Sequence, residues 1–352
     1  MDDTLIRIGN FQIGPNHAPF IIAEMSGNHN GSLERALKIV DMVAESGAHA
    51  LKLQTYTPDT MTINLKENEF FIGDKSSLWE GRALYDLYAE AQTPWDWHKP
   101  IFERARERGV LAFSTPFDVT AVDFLESLDV PLYKIASAEL VDLNLVRKVA
   151  LTGKPMIMST GMASVAEIHD AVVTARNNGC QHLILLKCTA TYPASPVESH
   201  LRSIPIMRDV FGVQVGLSDH TFGIGVAIAA VAMGATVIEK HVTLARADGG
   251  VDSAFSLEPH ELKLLVTETD VARQAMGTTY IGPTAAEQNS LKFRRSVYVV
   301  ENLSHGDRLT ENNTRVIRPG LGLPPKDLGV VLGRRVNQAV KRGTALRWNM
   351  ID

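Results

Sequence analysis

Between Phe20 and Met276 the sequence repeats one alternation eight times: a short apolar run, then a longer segment with helical periodicity. The runs are Phe20–Ala23, Ala50–Leu53, Val110–Phe113, Leu132–Ile135, Met156–Met158, Leu183–Leu186, Val213–Leu217 and Thr236–Ile238. Their length and β-branched content read as buried strands. Amphipathic segments follow them: Leu33 to Ser46, Pro94–Arg108, Val119–Leu128, Leu143–Leu151, Val165–Asn178, Leu201–Val210, Ile224–Met233 and Pro259–Met276. Most stop at a glycine, and Ser32 stands where an N-cap belongs. Eight such units predict an α/β fold, a closed (β/α)8 TIM barrel. An open doubly wound sheet is the competing architecture, but no glycine-rich dinucleotide fingerprint follows the first run.

Two regions depart from the alternation. The stretch from Thr55 to Thr93 reads as one long loop, and its Phe70, Phe71, Trp79, Tyr85 and Tyr88 suggest that it packs over something. Beyond Gly277 the pattern ends. Residues 1–277 are expected to form the barrel, 278–293 a linker with Gly282-Pro283, and 294–352 a small second domain with β-like runs Ser296–Val300 and Val316–Arg318.

Charge follows the same division. Residues 294–352 hold 11 Lys and Arg against 5 Asp and Glu, a net of +6 within a chain of net -5. The remaining residues therefore carry -11. An acidic total argues against a general nucleic-acid binder. The basic tail is punctuated by Val, Leu and Gly, which fits a folded unit docking on an acidic surface such as the barrel of another subunit. The acidic Met1-Asp2-Asp3 start does not resemble a signal peptide. The apolar stretch Gly223–Ile238 falls short of the roughly 20 residues a membrane span needs, and it runs into Glu239 and Lys240. With only Cys180 and Cys188 present, a disulfide framework or cysteine-rich zinc site is excluded. The expectation is a cytoplasmic protein that engages neither membrane nor nucleic acid.

The apolar runs end in polar residues, and in a TIM barrel chemistry sits at the C-terminal strand ends. The first run ends in Glu24; the second gives Lys52 and Gln54, two apart and so on one face. The others end in Ser114-Thr115, Lys134 to Ser137, Ser159-Thr160-Gly161, Lys187-Cys188-Thr189, Ser218-Asp219-His220 and Glu239-Lys240-His241. Burying unpaired charge is costly, so their convergence on one mouth predicts a site. Lys52 and Lys134, with Lys187 and Lys240 as further candidates, and the hydroxyls of Thr115, Ser137, Ser159 and Ser218 suit a small, highly charged anion such as a phosphate ester. A Schiff-base lysine, Lys134 or Lys187, is the competing mechanism. His220 and His241 end neighbouring strands and could share one divalent ion with positions left open. His98, His169 and His182 read as surface or helix-end residues, while His29, soon after the first strand, is harder to dismiss. Glu24 is placed for proton transfer, or for an ion pair with Lys52, and the two roles are compatible.

The ordered blocks Ile22-Ala23-Glu24, Gly27-Asn28-His29, Lys52-Leu53-Gln54-Thr55, Ser114-Thr115-Pro116-Phe117, Tyr133-Lys134-Ile135-Ala136-Ser137 and Ser159-Thr160-Gly161-Met162 resemble the N-acetylneuraminate (sialic acid) synthase family. So do Gly216 to Thr221 and Gly234 to His241. The tail, with Arg318-Pro319-Gly320, looks like the antifreeze-protein-like (SAF) domain of that family. The segments Leu78-Trp79, Leu84-Tyr85, Leu87-Tyr88, Trp97-His98 and Asp252-Ser253 with Phe255-Ser256-Leu257 are most similar to its pseudaminic acid synthases.

The resemblance implies a transferase that condenses phosphoenolpyruvate with an amino sugar. The acceptor would be 2,4-diacetamido-2,4,6-trideoxy-L-altrose, or N-acetylmannosamine or a related sugar if the chain is a neuraminate or legionaminate synthase. It further implies phosphoenolpyruvate bound by Lys52, Gln54, Thr115, Lys134, Ser137, Ser159 and Ser218 with Tyr192 nearby. His220 and His241 would hold a divalent ion, Mn2+ ahead of Mg2+ or Co2+, and Glu24 would move protons. Asp252 and Arg318 would contact the sugar, Arg318 from the partner subunit of a domain-swapped homodimer. One departure stands out: Thr191 precedes Tyr192 where sialic acid synthases usually carry Asn. A non-catalytic sugar-binding protein is the alternative from another class.

Overall fold

Residues 5–75 and 77–352 are described by the computed structural model of the protein. The chain divides into two compact units, Met1–Gly277 and Thr278–Asp352. The first opens with a hairpin, β1 (Ile6–Ile8) and β2 (Phe11–Ile13), turned through Gly9 at φ +57°. Eight parallel strands follow: β3 (Phe20–Glu24), β4 (Ala50–Thr55), β5 (Leu111–Pro116), β6 (Tyr133–Ile135), β7 (Met156–Ser159), β8 (Leu183–Cys188), β9 (Gln214–Asp219) and β10 (Val237–His241). β10 pairs with β3 and closes the sheet into the expected (β/α)8 barrel.

Local chemistry explains the helices between them. Leu33–Ser46 begins at Ser32, whose hydroxyl accepts from the Arg35 amide, and ends at Gly47 in the left-handed region at φ +81°. This helix and Pro259–Met276 have the bounds the sequence predicts, and the others differ from expectation by one or two residues. The segment expected at Leu201–Val210 forms a helix at Ser203–Phe211, closed by Gly212.

Two regions depart from the sequence reading. The hairpin was not expected, because strands of three residues show too little alternation to register. The long loop also contains two α-helices, Pro58–Met61 and Leu84–Ala91.

Alternate residues of a strand share a face, and this rule positions both the core and the site. The first inward residues are apolar: Phe20 and Ile22 on β3, Ala50 on β4, Phe113 on β5, Ile157 on β7, Ile184 and Leu186 on β8, and Val237 on β10. They pack with Ile6, Ile8 and Ile13 of the hairpin in one buried cluster that fills the N-terminal end of the barrel. On β9 the inward residue at this level is Gly216. A Cβ there would meet the Val237 carbonyl oxygen at 2.2 Å and Leu186 Cδ2 at 2.7 Å, so only glycine fits. A second apolar layer, including Ile39, Val43, Leu51, Leu125, Val149, Ile204 and Leu265, joins strands to surrounding helices.

In the second unit, β11 (Ser296–Val299) pairs antiparallel with β12 (Thr314–Ile317). Val297, Val299, Leu309, Val331, Val336 and Leu346 form its core. A 3-10 helix, Ala285–Phe293, occupies part of the segment expected as linker. Among the described residues, no helix is long and apolar enough to cross a membrane.

Candidate active site

Toward the C-terminal end the same inward face turns polar. Glu24 follows Ile22, Lys52 and Gln54 follow Ala50, Thr115 follows Phe113, and Ser159 follows Ile157, each at a spacing of two. Lys134, Cys188, Ser218, His220, Glu239 and His241 complete the ring by the same parity.

At its centre lies a buried charge array. Lys52 Nζ stands 2.6 Å from Glu24 Oε2 and 3.6 Å from Glu239 Oε1, and donates to Thr115 Oγ1 at 3.1 Å. Lys134 Nζ and Ser218 Oγ each donate to Glu239 Oε1 at 3.4 Å. The four charged side chains are no more than 5% exposed, so solvent screening is weak. Burial raises the Glu24 carboxyl above its ordinary range; Lys52 opposes this only in part, and Glu239 adds to it. Burial would raise Glu239 too, but Lys134 and Lys52 outweigh it and hold Glu239 ionised. Lys52 is held up against burial by Glu239 and Glu24, whereas burial prevails over Glu239 at Lys134 and lowers it. The array is thus two lysines around one firmly ionised carboxylate, with Glu24 the easiest carboxyl to protonate. Ser159 Oγ and Glu239 Oε2 are buried without a partner among the described residues, as expected where a ligand completes the bonding.

Beside the array stand His220 and His241, ring centroids 5.3 Å apart. His220 Nδ1 lies 3.0 Å from the Thr189 carbonyl oxygen, which commits that nitrogen and frees Nε2. Burial, reinforced by the positive charge of His220 and Lys52, holds His241 well below the ordinary histidine range, in the neutral form that ligates metals. Among the described residues no group of three His, Cys, Asp or Glu forms a metal cluster. Burial would lower His220, but Cys188 outweighs it and raises it. A divalent ion on the pair would have to displace that proton, and with two protein ligands it would keep positions open for water and substrate.

Aromatic rings wall this pair. Tyr192 lies 4.4 Å from His220 and 5.4 Å from Phe255, and Phe255 lies 5.0 Å from His241. Trp79 of the long loop packs at 5.7 Å on Tyr192, and its Nε1 donates to the Val251 carbonyl at 3.0 Å. Tyr88 stacks edge-on against Tyr56, while Tyr85 donates to Asp59 at the surface.

Other expected residues sit differently. Lys240 is on the opposite parity and faces away from the mouth, donating to Asp219 Oδ2 and the Thr221 carbonyl, each at 2.8 Å. Lys187 shares that parity and donates to the carbonyl of Cys188. Neither joins the array. His98 is no surface residue: it is fully buried and 2.7 Å from Thr55 Oγ1. His29 is buried as well, its Nδ1 accepting from the Gly31 amide. Ser137 Oγ accepts from the Gly161 amide, and Gln54 donates to Glu24 Oε1 at 2.9 Å and Ser26 Oγ at 3.1 Å. Asp252 is buried, accepting from Ser26 Oγ, with Oδ2 3.6 Å from His241 Nδ1. Arg318 follows β12 in the C-terminal unit. The sequence reading gave no role to Glu239 or Ser26. Glu239 carries a signal, since it stands two residues before His241 on one strand; Ser26 carries none beyond following Glu24.

Known proteins resemble the chain over most of its length. The model of the NeuB family matches residues 39–280, and that of the SAF domain matches residues 294–352. A pseudaminic acid synthase of Campylobacter jejuni is 42% identical over 345 residues, covering 97% of this chain and 98% of that one. One of Helicobacter pylori is 42% identical over 336 residues, covering 95% and 98%. The crystal structure of an N-acetylneuraminic acid (sialic acid) synthetase from Leptospira borgpetersenii in complex with citrate superposes with a TM-score of 0.74 at 34% identity, covering 83% of this chain and 96% of that one.

Proposed function

The chain is an enzyme of the NeuB family with a C-terminal SAF domain, and from that premise we propose that it condenses phosphoenolpyruvate with 2,4-diacetamido-2,4,6-trideoxy-L-altrose and water to give pseudaminic acid and phosphate. The observation that carries the proposal is the buried Lys52–Glu239–Lys134 array beside His220 and His241. The relatives from Campylobacter and Helicobacter support the choice of acceptor.

In this reading Lys52 and Lys134 take the phosphate and carboxylate charges, with Thr115, Ser137, Ser159, Ser218 and Gln54 supplying further hydrogen bonds. A divalent ion on His220 and His241, Mn2+ ahead of Mg2+ or Co2+, would supply Lewis acidity toward the acceptor aldehyde. A bond forms between C3 of phosphoenolpyruvate and the aldehyde carbon. The aldehyde oxygen gains a proton, water adds at C2, and phosphate leaves as the C2–O bond breaks. Glu24, whose carboxyl burial raises, holds and returns a proton in that sequence. Tyr192, Phe255 and Trp79 keep water from the reacting groups, so fixed charges act in a low dielectric. Asp252 and Arg318 belong to the sugar side of the proposal. Arg318 would come from the second subunit of a cytoplasmic homodimer, which the basic 294–352 segment and acidic remainder favour.

Phosphate release from phosphoenolpyruvate, with Mn2+ or EDTA, tests the reading. Release with the trideoxy sugar and metal alone is the expected result. Equal release with N-acetylmannosamine would keep the family chemistry and replace the acceptor; silence with both would reject the assignment. The lowered Lys134 amine also invites a Schiff base. Borohydride with pyruvate is expected to trap no adduct, and a trapped one would favour an aldolase.

A further inference from the structure

Ser26 is the residue for which the proposed chemistry has no use, yet it is built into the site at a cost. It is buried, it directly follows Met25 at the end of β3, and it holds φ +47°, a left-handed conformation that serine adopts only under constraint. A hydroxyl has one proton to donate and two lone pairs. Gln54 Nε2 occupies a lone pair at 3.1 Å, and the proton goes to Asp252 Oδ2. The strained backbone therefore points one hydroxyl at one carboxylate.

Asp252 is fixed from its backbone as well. Its carbonyl accepts from Ser256 Oγ at 2.7 Å, and Ser256 accepts from Asn28 Nδ2 at 2.8 Å. Asn28 also donates to the Val242 carbonyl at 2.8 Å, tying the loop to the end of β10. Across from the clamped carboxylate lies His241 Nδ1, at 3.6 Å, buried and without a hydrogen-bond partner among the described residues.

We propose that Ser26 and Asp252 are positioning residues for His241: the clamped carboxylate draws the ring proton to Nδ1, fixes the tautomer and turns Nε2 toward the cation. This rests on the reading of His220 and His241 as a metal site, and it adds a role at His241 to the sugar contact proposed for Asp252. Histidine ligands are commonly oriented by such a carboxylate, whose loss lowers metal affinity about 10- to 100-fold.

Ser26→Gly isolates the hydroxyl, because glycine accepts the left-handed backbone without strain. Mn2+ binding to the full chain, followed by the electron paramagnetic resonance of free Mn2+, is expected to weaken about tenfold. Phosphoenolpyruvate affinity and melting temperature should hold. Asp252→Asn repeats the test without touching the turn and should weaken Mn2+ at least as much. The double variant should be no worse than Asp252→Asn, since the hydroxyl acts through the carboxylate. Unchanged Mn2+ affinity in Ser26→Gly and Asp252→Asn would overturn the inference and leave the metal site standing. A wild-type chain that takes up no Mn2+ would remove the metal reading and the inference with it.

Discussion

At the closed end of the barrel, Phe20, Ile22, Phe113, Ile157 and Leu186 meet the hairpin residues Ile6, Ile8 and Ile13. Two residues further along the same strands, the same inward face carries Glu24, Thr115, Ser159 and Cys188, with Lys52, Lys134 and Glu239 among them. Backbone pairing is continuous from one end to the other. Only side-chain chemistry changes. Apolar burial at the first end yields about 25 cal/mol per Å2. Taking two lysines and two carboxylates out of water at the second costs several kcal/mol per ion before their mutual attraction is counted. The closed end stabilises the fold, and the open end spends part of that stability on charges held ready for a ligand.

If this division is right, substitutions at the two ends fail in different ways. The largest expected effect is at the mouth. Lys134→Met keeps the volume of the side chain but removes one charge of the array, and phosphate release should fall roughly 10^3-fold, the scale of losing a charge-stabilising donor. Its melting temperature should stay near wild type; a large drop would show that the array holds the barrel together. Next is Phe113→Ala at the closed end, which should cost about 3–5 kcal/mol in urea unfolding. The folded fraction should keep its KM for both substrates, and a changed KM would mean that the two ends are mechanically linked.

The smallest effect concerns His98 behind the mouth. Burial lowers it to about 4, against an ordinary value near 6.5. The folded state therefore prefers the neutral ring. Its contribution is complete above pH 6.5 and is lost as pH falls toward 4, at about 1.4 kcal/mol per pH unit. Unfolding at pH 7 and pH 5 should show a drop of about 2 kcal/mol from this residue, and His98→Gln should flatten the profile. An unchanged profile would place the acid sensitivity elsewhere, with His29, also lowered to about 4, the first alternative.

Much of the barrel was legible because eight repeats of one pattern reinforce each other, and because caps such as Ser32 and Gly47 mark helix ends chemically. The site was legible in its location and less so in its membership. Reading the strand endings as uniformly mouth-facing admitted Lys240 and Lys187 and passed over Glu239, whereas the two-residue period sorts them correctly. The hairpin escaped because its strands are three residues long. The link from Ser26 to Asp252 spans 226 positions, and no local pattern can announce a hydrogen bond of that range.

The hairpin has one more consequence. With β1 and β2 sealing the far end, the barrel is a cup and not a tube. Whatever reacts in it arrives and departs over one rim, past Trp79 and Tyr192. A vessel of that shape has a floor and a single opening, so a ligand lying at the bottom can be covered by one lying above it.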